Sequence, residues 1–175
     1  MRYYYWIKSR ALSRKLKKTT LKACLILDVD GVLTDGSFTY TIQGKVGKVF
    51  GSHDSDALHL IKDYIEIFFI SADKKGFPIS RKRIEDMGFI LEYVSAKERE
   101  DYIKRKKICM FCIFVGDSFT DVPALKIAQF GITPANAHKL AKRNANLVLR
   151  ESGGSGAVSE IALLLADILG LENNG

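Results

Sequence analysis

Ala23-Cys24-Leu25-Ile26-Leu27 runs without a polar residue straight into Asp28-Val29-Asp30-Gly31-Val32-Leu33-Thr34-Asp35-Gly36. A continuous apolar run of this length predicts a strand buried on both faces, as a covered parallel sheet requires. The abrupt change to acids and glycine predicts a polar loop at its carboxyl end. Side chains alternate along extended backbone, so Asp28 and Asp30 point the same way. Two carboxylates held so close repel, and each raises the pKa of the other unless a cation is present.

The same grammar recurs downstream. Residues 65–70 form a second buried run that ends at Ser71. Residues 108–115 form a third, ending Gly116-Asp117-Ser118-Phe119-Thr120-Asp121. Helical patterns over 56–64, 78–87, 97–106, 122–128, 138–143 and 158–169 alternate with these runs and with shorter ones at 90–94, 131–133 and 147–149. Residues 38–42 and 48–50 flank Gln43-Gly44 and predict a β-hairpin. Alternating strands and helices predict an α/β fold, a Rossmann-like three-layer sandwich around a mainly parallel sheet. In such sheets the ligand crevice lies at the carboxyl ends of the strands, where Asp28/Asp30, Ser71 and Asp117/Asp121 converge.

The 175 residues suit one domain of ordinary globular composition, 47% hydrophobic and 27% charged. The net charge of +7 belongs to one end. Residues 1–22 hold eight Lys/Arg and no acid, which leaves 19 of the 27 bases against all 20 acids in the rest of the chain. We therefore divide the chain into a basic aromatic leader (1–20) with a short helix near 10–18, a body (21–170) and a tail (171–175). The leader lacks the apolar core of a secretory signal. It is read as a surface helix leading into the fold. An anionic-surface contact through Tyr3 to Trp6 is the alternative, and nucleic-acid binding is disfavoured because the body is not basic. No run reaches the ~18 apolar residues of a membrane span. Cys24, Cys109 and Cys112 sit in apolar runs and predict reduced thiols in the cytoplasm. Cys109-Met110-Phe111-Cys112 has no second pair to complete a zinc site.

Four acids at one sheet edge, with no clustered arginine nearby, predict a metal. All-oxygen ligation points to Mg²⁺ and to a phosphate substrate. A carboxylate in such a place can be a nucleophile that forms an aspartyl-phosphate. Ser71 can supply a hydroxyl to the phosphate and Lys97 an ammonium.

The stretch from Asp28 to Gly36 resembles the first motif of the haloacid dehalogenase (HAD) superfamily of phosphatases. Ile70-Ser71, Lys97 and Gly116-Asp117-Ser118-Phe119-Thr120-Asp121 are similar to its other three. Asp30 to Gly36, the hairpin with Gly44, Lys45, Lys48 and Phe50, and the loop Gly153-Gly154-Ser155-Gly156-Ala157-Val158 with Glu160 resemble one capless subfamily. It comprises the 3-deoxy-manno-octulosonate 8-phosphate phosphatases and the related nonulosonate 9-phosphate phosphatases. The resemblance implies Asp28 as nucleophile, Asp30 as general acid/base, and Lys97 paired with Asp28 and phosphate. It implies phosphate binding at Ser71, Ala72 and Gly31. Mg²⁺ would be held by Asp28, Asp30 and Asp117, with Asp121 behind them. It further implies a homotetramer built through the hairpins, in which a neighbouring subunit closes each site.

Several positions depart from the subfamily pattern. Ser118 stands where a second acid is usual, and Ala72-Asp73 where Gly-Arg is usual. Asp54-Ser55-Asp56-Ala57 replaces Asp-Gly-x-Gly, and Ser155 and Ser159 replace arginines. The expected substrate is thus a phosphorylated sugar acid of this general kind, an octulosonate or a nonulosonate. The alternative is a catalytically weak oligomerisation module of a nonulosonate pathway.

Overall fold

The computed structural model describes residues 2–171. The expected tail lies outside them, except Leu171. The chain opens with a 17-residue helix α1 (Arg2–Lys18), followed by β1 (Lys22–Asp28) and a hairpin of β2 (Thr34–Thr41) and β3 (Gly44–Phe50). Then come α2 (Asp54–Ile61), β4 (Glu66–Ser71), α3 (Phe77–Asp86), β5 (Leu91–Tyr93), α4 (Arg99–Lys106) and β6 (Met110–Val115). A 3₁₀ turn (Phe119–Asp121) leads into α5 (Val122–Ile127), β7 (Phe130–Thr133), α6 (Lys139–Asn144), β8 (Leu147–Val148) and α7 (Ala157–Leu169).

Six strands form one parallel sheet in the order β5-β4-β1-β6-β7-β8. The hairpin β2-β3 is a separate antiparallel pair. The apolar run that opens the reading is the central strand. Leu25 and Leu27 face a core shared with α1, α2, α3 and α7, while Cys24 and Ile26 face one shared with α4, α5 and α6. All four are fully buried. Burying each of the three aliphatic side chains contributes roughly 1.5–3 kcal/mol, which is why the run tolerates no polar residue. Only α2 lies between the hairpin and β4, so no cap domain is inserted.

The N-terminal helix is longer than the sequence pattern predicts. Leu12 is fully buried and Tyr5, Ala11 and Leu16 pack against the same core. Lys15 Nζ donates to the Gln129 carbonyl at 2.8 Å, and Arg150 stacks on the Tyr5 ring at 4.0 Å. The apolar spacing continues back to Tyr5, which the shorter predicted helix left out. No helix among the described residues is long and apolar enough to cross a membrane. Cys109 is exposed and Cys112 buried, so the C-x-x-C spacing does not bring two thiols to one site. Cys112 instead lies 3.5 Å from Cys24 on the neighbouring strand, Sγ to Sγ.

Candidate active site

Asp28 is the last residue of β1, and Gly116 and Asp117 follow β6 beside it. The loop after Asp28 is closed by Thr34. The buried Thr34 Oγ1 accepts from Gly31 N at 3.1 Å and from Gly36 N at 3.3 Å. Gly31 has φ +80°, and a Cβ there would collide with the Asp117 carboxylate. Glycine is therefore required for both conformation and close approach. Its N–H, expected to bind phosphate, is already engaged by Thr34.

Oxygens of Asp28, Asp117 and Asp121 lie within 4.8 Å of one another. Asp121 is fully buried, and its Oδ2 accepts from Asp117 N at 3.1 Å and Ser118 N at 2.9 Å. Ser118 acts as the N-cap of the 3₁₀ turn, its Oγ accepting from Thr120 N at 3.2 Å. The serine that replaces the usual second acid thus shapes the turn that brings Asp121 inward.

The cation nearest these acids is Arg99, which the sequence reading missed. Its Nη1 donates to Asp28 Oδ2 at 2.8 Å and its Nη2 to Asp28 Oδ1 at 2.9 Å. Nη1 also pairs with Asp121 Oδ1. Lys97, expected to pair with Asp28, is exposed and lies in the turn before α4. That turn is tied by Ser95 N and Oγ donating to Glu98 Oε2 at 3.2 and 2.5 Å. The predicted helix began at Lys97. The real one begins at Arg99, and this offset of two residues carries the inward-facing position from the lysine to the arginine. A basic residue at the start of that helix was the available signal. The expectation of no nearby arginine is corrected by the same observation.

Burial disfavours the charged form of Asp28 and pushes its pKa upward, the Arg99 fork opposes this, and Asp121 and Asp117 add to it. Asp117 is pushed up to about 7, first by burial and then by Asp121. Burial also works against the charge on Arg99, but Asp28 and Asp121 outweigh it and hold the guanidinium firmly protonated. Three carboxylates against one guanidinium leave two negative charges. The Asp117 carboxylate has no ion pair among the described residues. A hard oxygen set short of positive charge fits a divalent cation between Asp28 and Asp117.

The adjoining cleft is lined by Asp28, Asp30, Gly36, Ala72, Asp73, Ala96, Arg99, Asp117, Ser118 and Thr120. Asp30 and Ala72 line this cleft, while Asp30 stands outside the group formed by Asp28, Asp117 and Asp121. Ser71 is fully buried at the end of β4, with its Oγ accepting from Asp73 N at 3.1 Å, which leaves the hydroxyl proton to be donated elsewhere. Asp73 is neutralised from the hairpin. Lys45 Nζ lies 2.6 Å and Lys48 Nζ 2.9 Å from its Oδ2. Burial would raise Asp73, but the two lysines and the Gly76 N–H hold it well below the usual carboxylate range. The loop carrying Ser155 presses on the first motif, where a Cβ on Gly153 would strike the Gly31 and Thr34 carbonyls.

The sequence is 30% identical over 152 residues to the 3-deoxy-D-manno-octulosonate 8-phosphate phosphatase KdsC of Haemophilus influenzae, covering 83% of each chain. The chain belongs to the KdsC family of HAD phosphatases. The Escherichia coli K12 KdsC is 30% identical over 147 residues, 81% of this chain and 77% of that protein. The cobalt-bound form of the Haemophilus influenzae phosphatase superposes with a TM-score of 0.76 at 29% identity, covering 86% of this chain and 90% of that one. A hydrolase assigned to subfamily III A of the HAD superfamily, from Legionella pneumophila, gives a TM-score of 0.80 at 27% identity over 94% and 91%. No family model matches. This KdsC-family member is thus a phosphatase with the Rossmann-like fold expected of it.

Proposed function

We propose that this phosphatase hydrolyses the phosphomonoester of a phosphorylated sugar acid, an octulosonate 8-phosphate or a nonulosonate 9-phosphate, through an aspartyl-phosphate. The convergence of Asp28, Asp117 and Asp121 on one buried edge carries the proposal, and relatives named for such a substrate support it. An Asp28 oxygen attacks phosphorus, the bond from phosphorus to the sugar oxygen breaks, and the Asp30 carboxyl gives its proton to that oxygen. Water then attacks the phosphorus of the acyl phosphate. Asp30 takes the water's proton, and Asp28 leaves as a carboxylate with release of inorganic phosphate. Arg99 fixes the Asp28 rotamer and offers positive charge to phosphoryl oxygens, the task first assigned to Lys97. Ala72 lines the cleft in which the phosphate would sit, with Ser71 buried just behind it at the end of β4. Mg²⁺ would be held by Asp28, Asp117 and the Asp30 carbonyl, with Asp121 behind, and would offset charge between nucleophile and phosphate. Asp28→Asn tests this: kcat with a sugar-acid phosphate is expected to fall more than about 10³-fold, and retention of full activity rejects the assignment.

The fork of Arg99 on both Asp28 oxygens favours one second reading, a catalytically weak assembly module, since an attacking oxygen must first be freed. A panel of sugar-acid phosphates scored for phosphate release separates the two, with no release supporting the module.

The hairpin supports a homotetramer in which a neighbouring subunit closes each cleft. Phe38, Tyr40, Ile42, Val46 and Val49 are all at least half exposed, Ile42 fully, more apolar surface than a two-stranded ribbon leaves in water without a partner. Light scattering of the purified protein reads the number of copies, and a monomer sinks this assembly. The buried thiols Cys24 and Cys112, both reduced, support a cytoplasmic place for the enzyme.

A further inference from the structure

We propose that Lys48, from the hairpin, is the positioning residue of Asp30, so that the seating of the hairpin is coupled to the proton transfers of the reaction. The proposal rests on the reading of Asp30 as acid/base given above.

The side chain of Lys48 has no exposed surface. Its ammonium donates to Ser80 Oγ at 2.8 Å and forms ion pairs with Asp30 Oδ1 at 2.6 Å and Asp73 Oδ2 at 2.9 Å. The acceptors come from three places, the loop after β1, the loop after β4, and α3, and Lys48 itself comes from β3. Among the described residues, Lys48 is the one partner of the Asp30 carboxylate, which is a third exposed and opens into the cleft. Asp73 is fixed in its turn by Lys45 and by the Gly76 N–H donating to Oδ1 at 3.0 Å.

A buried ammonium is tolerated only when paired, and here two carboxylates pair it. The consequence for Asp30 is geometric. Its carboxyl must stand beside the sugar oxygen as the bond to phosphorus breaks, and then beside the incoming water. A side chain on a loop with no tether samples other rotamers, and misplacement by about 1 Å can cost about 10²-fold in rate. Lys48 supplies the tether, and it does so only when the hairpin is docked. Asp73 has a part in this. An acid beside the cleft, with its charge given to Lys45 and Lys48, draws the hairpin down onto the body from within one chain.

Lys48→Met tests the idea in the first turnover with two substrates. A nitrophenyl phosphate has a leaving group that needs no proton, whereas a glycerol or sugar phosphate releases a basic alkoxide. The expected result is a loss of about 10²-fold in single-turnover phosphoryl transfer from the alkyl phosphate, with less than tenfold loss from the aryl phosphate. Lys48→Arg is expected to recover most of the alkyl activity. In an Asp30→Asn background, Lys48→Met is expected to add almost nothing, since its effect passes through Asp30. Equal losses on both substrates, no loss on either, or additivity with Asp30→Asn would overturn the proposal. If the methionine variant lacks a cooperative unfolding transition, Lys48→Gln is read the same way. Wild-type protein run in parallel keeps the two levels apart. Wild type that releases phosphate while Lys48→Met loses both substrates equally removes the role of Lys48 alone. Inactive wild type removes the phosphatase reading together with it.

Discussion

Asp28 and Asp73 stand at the carboxyl ends of neighbouring parallel strands and burial raises both, yet their neighbours' charges leave them shifted in opposite directions. Asp28 shares a single guanidinium with Asp121 and faces Asp117, so three acids lean on one cation and the Asp28 pKa rises. Asp73 and Asp30 face Lys45 and Lys48, two acids against two cations, and Asp73 is depressed. The first cluster is short of positive charge and has room for a divalent cation to balance it. The second is complete already and serves to hold the hairpin. What separates the two clusters is the local charge count, since the acids are of the same type.

The largest effect that can break this comparison is expected at Arg99. Arg99→Met leaves buried Asp28 and Asp121 without their cation, and removing one partner of a buried ion pair costs about 3–5 kcal/mol. Urea denaturation in the presence of a chelator reads this as a lower midpoint at unchanged slope. Added Mg²⁺ is expected to restore part of the loss, because a ligand that binds only the native state stabilises it. Arg99→Lys keeps the charge but not the fork, and should fall between the two. A midpoint that does not move in Arg99→Met would show that the three acids do not depend on this guanidinium.

The sequence made the sheet, the hairpin and the acids legible, because each has a short-range signature. An unbroken apolar run followed by acids is local. The alternation expected to align Asp28 with Asp30 does not extend past β1: Asp30 lies in the turn that follows and pairs with Lys48, while Asp28 joins Asp117 and Asp121. The position of Arg99 is not local. Whether residue 97 or 99 faces Asp28 depends on where α4 starts, and that is set by a turn in which Glu98 caps Ser95 rather than by helical periodicity. Helix boundaries are the least legible part of a pattern. The hidden role of Lys48 has a similar cause. Its partners Asp30, Asp73 and Ser80 lie on three separate segments, and no spacing within the hairpin announces them. The substitution at Asp73 was visible as a change of sign beside the phosphate pocket. Its compensation by Lys45 and Lys48 required the hairpin to be folded down. The leader shows the reverse case. Its charge stood out in the sequence, while the buried Leu12 that fixes it to the core is one ordinary leucine among many.

A smaller and sharper test lies at Asp73, where the sign of the pH dependence follows from the direction of its shift. Its folded pKa lies below the ordinary carboxylate value of about 3.9. The folded state therefore binds fewer protons at this site than the unfolded chain does. The stabilisation is fully present above that ordinary value and is lost as pH falls through it toward the folded pKa. Asp73→Asn removes the charge and with it this part of the pH dependence. An asparagine oxygen can still accept from the lysines and Lys48 keeps Asp30 as its partner, so the expected loss near neutral pH is about 1–2 kcal/mol. Urea midpoints for wild type and Asp73→Asn, compared from about pH 7 down to about pH 3, should therefore converge as acid is added. A gap that stays constant across that range would mean the asparagine disturbs packing around Gly76 rather than the charge balance. In that case the hairpin is held by shape, and the contrast between the two aspartates loses its electrostatic basis.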